Sequence, residues 1–238
     1  MKTIIIIPCY NEKYNVVNVV KSIKEYNKKL DYIVINDGST DNTKDILIEN
    51  KINFIDLPFN VGIGAAVQTG YKYAYANGYD IAVQFDGDGQ HDIKYIDKLI
   101  KPIIEFKADL TIGSRFVDDI SEFKSTVSRQ VGIKFISFLI KLKTGKKLKD
   151  VTSGYRACNR QIMEKFSNYY PYDYPEPITN YILLKNNFKI VELGVNMFKR
   201  QSGKSSIRLF KSAYYMFNVC SSIILINTKK FGGRKWYL

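Results

Sequence analysis

Two carboxylates close a hydrophobic run in Gln84-Phe85-Asp86-Gly87-Asp88-Gly89-Gln90-His91-Asp92, with glycines between and after them. Side chains alternate along an extended chain, so Asp86 and Asp88 project to one side, and the glycines let the backbone approach a ligand closely. Such a pair suits a hard divalent cation, Mg²⁺ or Mn²⁺, which takes oxygen ligands, accepts one or two protein carboxylates and leaves positions for substrate phosphates. A nucleoside diphosphate is the substrate this chemistry predicts. A calcium loop of the EF-hand kind is excluded: counting from Asp86, its glycine and glutamate positions hold His91 and Asp97. The competing explanation is a solvated acidic turn, and the rest of the chain decides between the two.

The elements that must deliver these residues alternate. Strands are expected near Thr3–Ile7, Tyr32–Asn36, Asn53–Leu57, Ile81–Asp86 and Leu110–Ile112, with helical patterns between them. This order predicts an α/β fold, a mostly parallel sheet flanked by helices on both faces. Ligands of such sheets bind beyond the carboxyl ends of the strands. Polar clusters follow the strands each time: Pro8-Cys9-Tyr10-Asn11-Glu12, Asp37-Gly38-Ser39-Thr40-Asp41, Asn60-Val61-Gly62-Ile63-Gly64, then the Asp86/Asp88 pair. Each alone reads as a turn or a helix cap; their convergence on one rim reads as a site. Gly62-Ile63-Gly64 lacks the third glycine of a dinucleotide fingerprint, whose place holds Val67, which leaves a phosphate at that helix start as the expectation.

After Gly113-Ser114-Arg115 the alternation stops. A helix is expected near Val127–Lys143, then Asp150-Val151-Thr152-Ser153-Gly154-Tyr155-Arg156, a helix near Pro177–Asn186, a strand near Lys189–Asn196 and a cationic stretch from Lys199 to Ser206. Residues 1–206 are expected to form one domain, followed by an amphipathic basic extension over 207–238. Within it Phe210, Tyr214, Phe217, Ser221 and Ile224 share a helical face. The uncharged window Ser212–Thr228 is short for a hydrocarbon layer of about 30 Å, so an in-plane interfacial helix is expected, against packing on the domain or on a second subunit of a homo-oligomer.

The net charge of +13 is unevenly spread. Residues 1–123 carry 14 Lys/Arg and 18 Asp/Glu, residues 124–238 carry 22 and 5. Lys124–Lys149 and Lys199 to the end contain no acid. No nucleic-acid motif accompanies these basic stretches, so an anionic membrane surface is the expected partner. Three scattered cysteines, Cys9, Cys158 and Cys220, fit a reducing compartment, and no secretion signal is visible.

Taken together, the rim clusters, Gly113-Ser114-Arg115, Thr152-Ser153-Gly154-Tyr155-Arg156 and Arg200-x-x-Gly203-x-Ser205 resemble family 2 glycosyltransferases of the GT-A fold. Among these, the chain is most similar to dolichol-phosphate mannosyltransferase-like and bacterial polyprenyl-phosphate enzymes. The resemblance implies that Pro8, Tyr10, Asn11, Glu12 and Asp37, with Gly62, line the donor nucleotide, and that Asp86, Asp88 and Gln90 hold the metal and the sugar diphosphate. It implies that Arg115, Arg129 and Arg200, with Ser205, bind the acceptor phosphate. Guanidinium suits that task through its fork and permanent charge. Asp150 is the expected positioning group or, for a hydroxyl acceptor, the general base together with Glu176 as its rival. His91, the single histidine, is expected to support the metal pair rather than to react.

The resulting expectation is an inverting, metal-dependent enzyme moving a sugar from a UDP-sugar to polyprenyl phosphate for cell-surface polysaccharide synthesis. It is expected as a peripheral protein at the cytoplasmic membrane face, with a small membrane protein as a candidate partner. Its rivals are transfer to a hydroxyl of a lipid-linked glycan and a non-catalytic nucleotide-sugar-binding subunit.

Overall fold

The computed structural model describes residues 1–118, 121, 126–199 and 209–225. At its centre lies Ile4-Ile5-Ile6-Ile7, four β-branched residues suited to an extended chain. Ile4 and Ile6 belong to the core on one face of the sheet, Ile5 and Ile7 to the core on the other. A strand buried on both faces needs an apolar residue at every position, which explains the unbroken run. Each such side chain contributes about 1.5–3 kcal/mol on burial.

The first strand, β1 (Thr3–Cys9), is followed by α1 (Val16–Tyr26), β2 (Asp31–Asn36), α2 (Thr43–Glu49), β3 (Phe54–Asp56), α3 (Ile63–Ala76), β4 (Ile81–Gln84) and α4 (Ile96–Ile104). Then come β5 (Leu110–Ser114), α5 (Val127–Thr144), β6 (Arg156–Asn159), α6 (Arg160–Asn168), α7 (Pro175–Lys185), β7 (Ile190–Gly194) and α8 (Leu209–Leu225). The strands stand in the order β3-β2-β1-β4-β6-β5-β7. All pairs are parallel except those of β6, which runs against both β4 and β5. The α/β architecture expected from the alternation is present, with α1, α2 and α4 packed on one face and α3, α5, α6 and α7 on the other.

Two elements escape the sequence pattern. β6 is only four residues long and begins with a charged residue, Arg156, that is fully buried. Its successor α6 is signalled only by Asn159, whose side chain caps the Ile162 N–H at 2.9 Å, and by Ile162, Met163 and Phe166 on one face. Because β6 is antiparallel, the segment leading into it, Asp150–Tyr155, arrives at the same rim where the parallel strands end.

The last helix is docked on its inner side. Val219 and Ile223 are fully buried in the core shared with α5 and α7. Tyr215 meets Tyr174 edge-on at 4.4 Å, and Met216 sits over Gly132 of α5. On the outer side, Tyr214, Phe217, Ile224 and Leu225 are exposed. Packing on the domain and an outward aromatic face therefore occupy opposite sides of one helix. No helix among the described residues is long and apolar enough to cross a membrane.

Candidate active site

The loops after β1, β2 and β3 are tied into one wall. Asn11, at a left-handed φ of 56°, accepts through Oδ1 from the Thr40 N–H at 2.8 Å and the Asp41 N–H at 3.2 Å. Its own N–H donates to Ser39 Oγ at 3.0 Å. Glu12 is buried, donates its N–H to Thr43 Oγ1 at 3.0 Å and accepts from Asn15 Nδ2 at 2.6 Å. Asp37 is buried as well, and its carboxylate receives the Val61 N–H at 2.8 Å, the Gly62 N–H at 3.1 Å and Asn60 Nδ2 at 3.0 Å. Burial raises its pKa against those hydrogen bonds. Asp37 thus holds the third loop to the second. Tyr10 stays 42% exposed just after the end of β1, the strand that contains Pro8.

Gly62 caps α3 at φ 90°, which only glycine adopts without strain. The expected phosphate at this helix start meets an obstacle. The Gly64 N–H donates to the Tyr172 carbonyl at 3.1 Å, and a Cβ on Gly64 would lie 2.0 Å from the Pro171 oxygen. Gly64 serves close packing of the 171–172 segment on the helix, while Gly62 serves the left-handed turn before it.

Beyond β4, the Asp86/Asp88 turn is braced from three sides. Asp88 Oδ1 accepts the Gln90 N–H at 3.0 Å. Gln90 is bound on both groups to Phe198, its carbonyl accepting the Phe198 N–H at 2.8 Å and its Nε2 donating to the Phe198 carbonyl at 3.2 Å. His91 is buried, stacked on Tyr155 at 4.6 Å and edge-on to Phe85. Its Nδ1 accepts the Asp86 N–H at 3.0 Å, which leaves the ring proton on Nε2, 3.6 Å from Asp86 Oδ2. Burial, only partly offset by Asp88, lowers the His91 pKa to about 4, so the ring is neutral near pH 7. A neutral imidazole that grips the backbone and faces the carboxylate of one aspartate orients it.

Among the described residues no group of three or more His, Cys, Asp or Glu could hold a metal ion. The donor set still fits one that shares its shell with a substrate diphosphate, since Mg²⁺ and Mn²⁺ ask for few protein carboxylates. Space is provided by Gly154, where a Cβ would lie 3.0 Å from both Asp86 Oδ2 and Gln84 Nε2. The residue before Tyr155 is small because this carboxylate occupies the room a side chain would take.

Across β6 from Asp86 stands a cationic group. Arg115 and Asp150 form a buried bidentate pair, Nε to Oδ2 at 2.8 Å and Nη2 to Oδ1 at 2.7 Å, and the Arg115 N–H also reaches Oδ2 at 3.0 Å. Arg115 Nη2 reaches Thr152 Oγ1 at 2.9 Å. Asp150 is fully buried, and both its oxygens are engaged with Arg115, so its carboxylate orients the guanidinium. Arg129, near the start of α5, feels Arg115, Tyr215 and Asp150; desolvation first and then Arg115 lower its pKa. Arg115 is paired with Asp150, and Arg129 lies near enough for the two guanidinium charges to oppose each other. Arg200 and Ser205 lie outside the described residues.

Two further residues lie beside Gln84: Arg156 of the Thr152–Arg156 motif, and Glu176, the rival base for a hydroxyl acceptor. Arg156 is fully buried, donating to Thr179 Oγ1 at 2.9 Å and Asn180 Oδ1 at 2.8 Å, and lies below Gln84, its partner across the β4–β6 ladder. Glu176 makes a long 3.4 Å contact with Gln84 Nε2, and burial raises its pKa despite Arg156. A charged residue in a four-residue strand gives no periodic signal, so only the fold reveals that Arg156 is buried beside Gln84.

Residues 4–167 match the model of glycosyl transferase family 2. The chain belongs to that family. A UDP-N-acetylglucosamine–dolichyl-phosphate N-acetylglucosaminyltransferase of Methanococcus voltae is 36% identical over 181 residues, 68% of this chain and 71% of the relative. The polyprenol monophosphomannose synthase of Mycolicibacterium smegmatis is 27% identical over 228 residues, 92% of this chain and 85% of the relative. Glucosyl-3-phosphoglycerate synthase from Mycobacterium tuberculosis, crystallised with Mn²⁺, UDP-glucose and phosphoglyceric acid, superposes with a TM-score of 0.70 at 17% identity, covering 94% of this chain and 78% of that one. The family 2 glycosyltransferase described here therefore has the GT-A fold, and it has polyprenyl-phosphate sugar transferases among its relatives.

Proposed function

We propose that this glycosyltransferase moves one sugar from a nucleoside-diphosphate sugar, with uridine as the base, to polyprenyl phosphate, with inversion at the anomeric carbon. The observation that carries the reading is the pairing of two unlike sites across β6: carboxylates at the end of β4 and arginines at the end of β5 and the start of α5. The relatives named for transfer to dolichyl phosphate and for polyprenol monophosphomannose synthesis support the acceptor class.

Tyr10 stacks on the base, while Asp37 and Asn11 fix the loops around it. Asp86, oriented by His91, and Asp88, with Gln90 beside them, would hold Mg²⁺ or Mn²⁺ with the diphosphate. The ion supplies compensation for the charge that builds on the departing nucleoside diphosphate. Arg115, fixed by Asp150, and Arg129 orient the acceptor phosphate for attack on C1 from the face opposite the leaving group, which inverts that carbon. A phosphate monoester with a second pKa of ~6 is largely ionised at neutral pH, so this step needs no strong general base. Asp150 is accordingly a positioning residue. The protein works peripherally at the cytoplasmic face, where such an acceptor is anchored, in a cell-surface polysaccharide route.

The test is a panel of UDP- and GDP-sugars offered to the purified enzyme with polyprenyl phosphate, with and without EDTA, and the products read by mass and by anomeric NMR. A sugar–phosphate–lipid product of inverted configuration, lost in EDTA, is expected. Transfer only to a glycan hydroxyl, or turnover that is insensitive to EDTA, would overturn the reading.

A further inference from the structure

Glu192 breaks the pattern of its strand. In β7, Val191 and Leu193 pack against the core on one face of the sheet, and Ile190 packs against the core on the other. Side chains alternate along a strand, so Glu192 stands on the side of Ile190, where a further apolar residue would suit the core. A half-buried carboxylate in that position needs hydrogen-bond partners. It finds them on two consecutive backbone groups: the Lys149 N–H donates to Oε2 at 2.6 Å and the Asp150 N–H to Oε1 at 2.7 Å. Burial raises the Glu192 pKa, and these two N–H groups oppose the rise. A glutamine of the same shape could not do this, because its amide offers one oxygen and would turn an NH₂ toward the second N–H.

The residue held in this way is the one that fixes Arg115. Asp150 lies in the irregular segment between α5 and β6, outside any strand ladder, and both its oxygens are engaged with Arg115. Where that carboxylate stands therefore depends on where its main chain is held. The other supports of the segment grip its neighbours: Ser137 binds the Leu148 carbonyl, Asn180 Nδ2 the Val151 carbonyl at 3.3 Å, and Ser153 Oγ donates to the Gly113 carbonyl at 2.6 Å. Glu192 alone among these grips the N–H of Asp150 itself. It is also in register with Ile112 of β5, the strand that Arg115 directly follows. Clamp and guanidinium thus hang from one pair of strands, with the Asp150 carboxylate fitted between them. Arg115 spends Nε and Nη2 on Asp150 and Thr152, leaving the Nη1 edge to meet a phosphate.

We propose that Glu192 is a positioning residue of the acceptor site: it holds Asp150 through its backbone so that Arg115 presents its Nη1 edge to the acceptor phosphate. The phosphate rests on the function proposed above, and the positioning rests on the hydrogen bonds from Glu192 to Arg115. Glu192 itself touches no reactant. Its effect passes through a single route, so it should vanish when the guanidinium fork is removed.

The experiment compares the full-length wild type with Glu192→Gln by calorimetric titration of farnesyl phosphate, and of UDP or GDP, whichever the wild type binds. Glu192→Gln should weaken farnesyl phosphate binding about tenfold, the scale of one lost hydrogen bond to a charged group, and leave nucleotide affinity unchanged. In an Arg115→Lys background, which keeps the charge without the fork, the same substitution should cost less than about twofold. Ser137→Ala, which frees the Leu148 carbonyl, controls for general loosening of the segment and should leave farnesyl phosphate binding at the wild-type value. A second readout needs no acceptor: the NMR signal of the Arg115 Nε–H, identified by its absence in Arg115→Lys, should exchange with water about tenfold faster in Glu192→Gln. An unchanged exchange rate would overturn the inference, as would equal losses for farnesyl phosphate and nucleotide or a full additional loss in the Arg115→Lys background. If the wild type binds no farnesyl phosphate, the acceptor reading fails, and faster Arg115 exchange would still establish the positioning by Glu192.

Discussion

In the first half of the chain, functional side chains sit on turns at strand ends and are fixed by neighbours on adjacent loops. Across β6 the central cation, Arg115, is fixed by a buried carboxylate 35 residues away. The first arrangement sits on a rim that the core does not depend on: Asp86 is partly exposed, and a neutral His91 ring accepts its N–H and faces its carboxylate. The second puts a charge pair inside, where removing one partner strands the other. Function and stability should separate on the carboxylate side and coincide on the arginine side.

The largest expected effect tests the carboxylate side. Asp88→Ala should lower transfer by about a thousandfold or more, the scale of losing a main electrostatic stabiliser, while thermal unfolding shifts little. A variant with parallel losses in melting temperature and turnover would erase the contrast. Asp150→Ala tests the other side: it should destabilise by about 3–5 kcal/mol, because Arg115 is left buried and unpaired, and should lose activity as well. The double variant Arg115→Met/Asp150→Met should regain much of the stability in denaturant titration without regaining transfer. If Asp150→Asn kept full stability and lost only a base-dependent limb of the pH profile, Asp150 would be a proton acceptor instead.

Much of the carboxylate side was legible because a parallel sheet repeats one rule. Each strand of Val, Ile or Phe ended in a polar cluster, and equivalent ends share a rim, so Tyr10, Asn11, Asp37 and Asp86 could be grouped without coordinates. The arginine side breaks the rule. Arg156 closes the Thr152–Arg156 motif with no sign of its burial against Thr179 and Asn180, and nothing in its neighbours' spacing marks a strand. Asp150 reads as a positioning group or, for a hydroxyl acceptor, a base, and sequence does not show its partner Arg115. The outward apolar residues of α5, Val127, Val131, Phe135, Phe138 and Leu142, are hidden for a related reason: Ile133, Ile136 and Ile140 supply a core face, and the extra apolar positions look like more of the same until exposure separates them.

Smaller effects sharpen the comparison. Arg129→Lys keeps the charge and loses the fork, so the KM for polyprenyl phosphate should rise about tenfold while the KM for the donor holds; equal rises would point to general disorder of the site. Gly154→Ala should act in the opposite sense. Its added methyl presses Asp86 and Gln84, so we expect a severalfold fall in kcat and donor affinity with acceptor KM unchanged, read from initial rates at saturating lipid.

The antiparallel strand also sets a length. β6 hydrogen-bonds β4 on one side and β5 on the other, so the ends of the strands before Asp86 and Arg115 stand two ladder spacings apart, roughly 9.5 Å. That interval is fixed by backbone geometry and is insensitive to the side chains placed at either end. On the proposed function, substitutions on the loops can retune which sugar or which phosphate is gripped, but the gauge between the two grips stays constant. A protein built this way can change its reactants without redesigning the distance over which they meet.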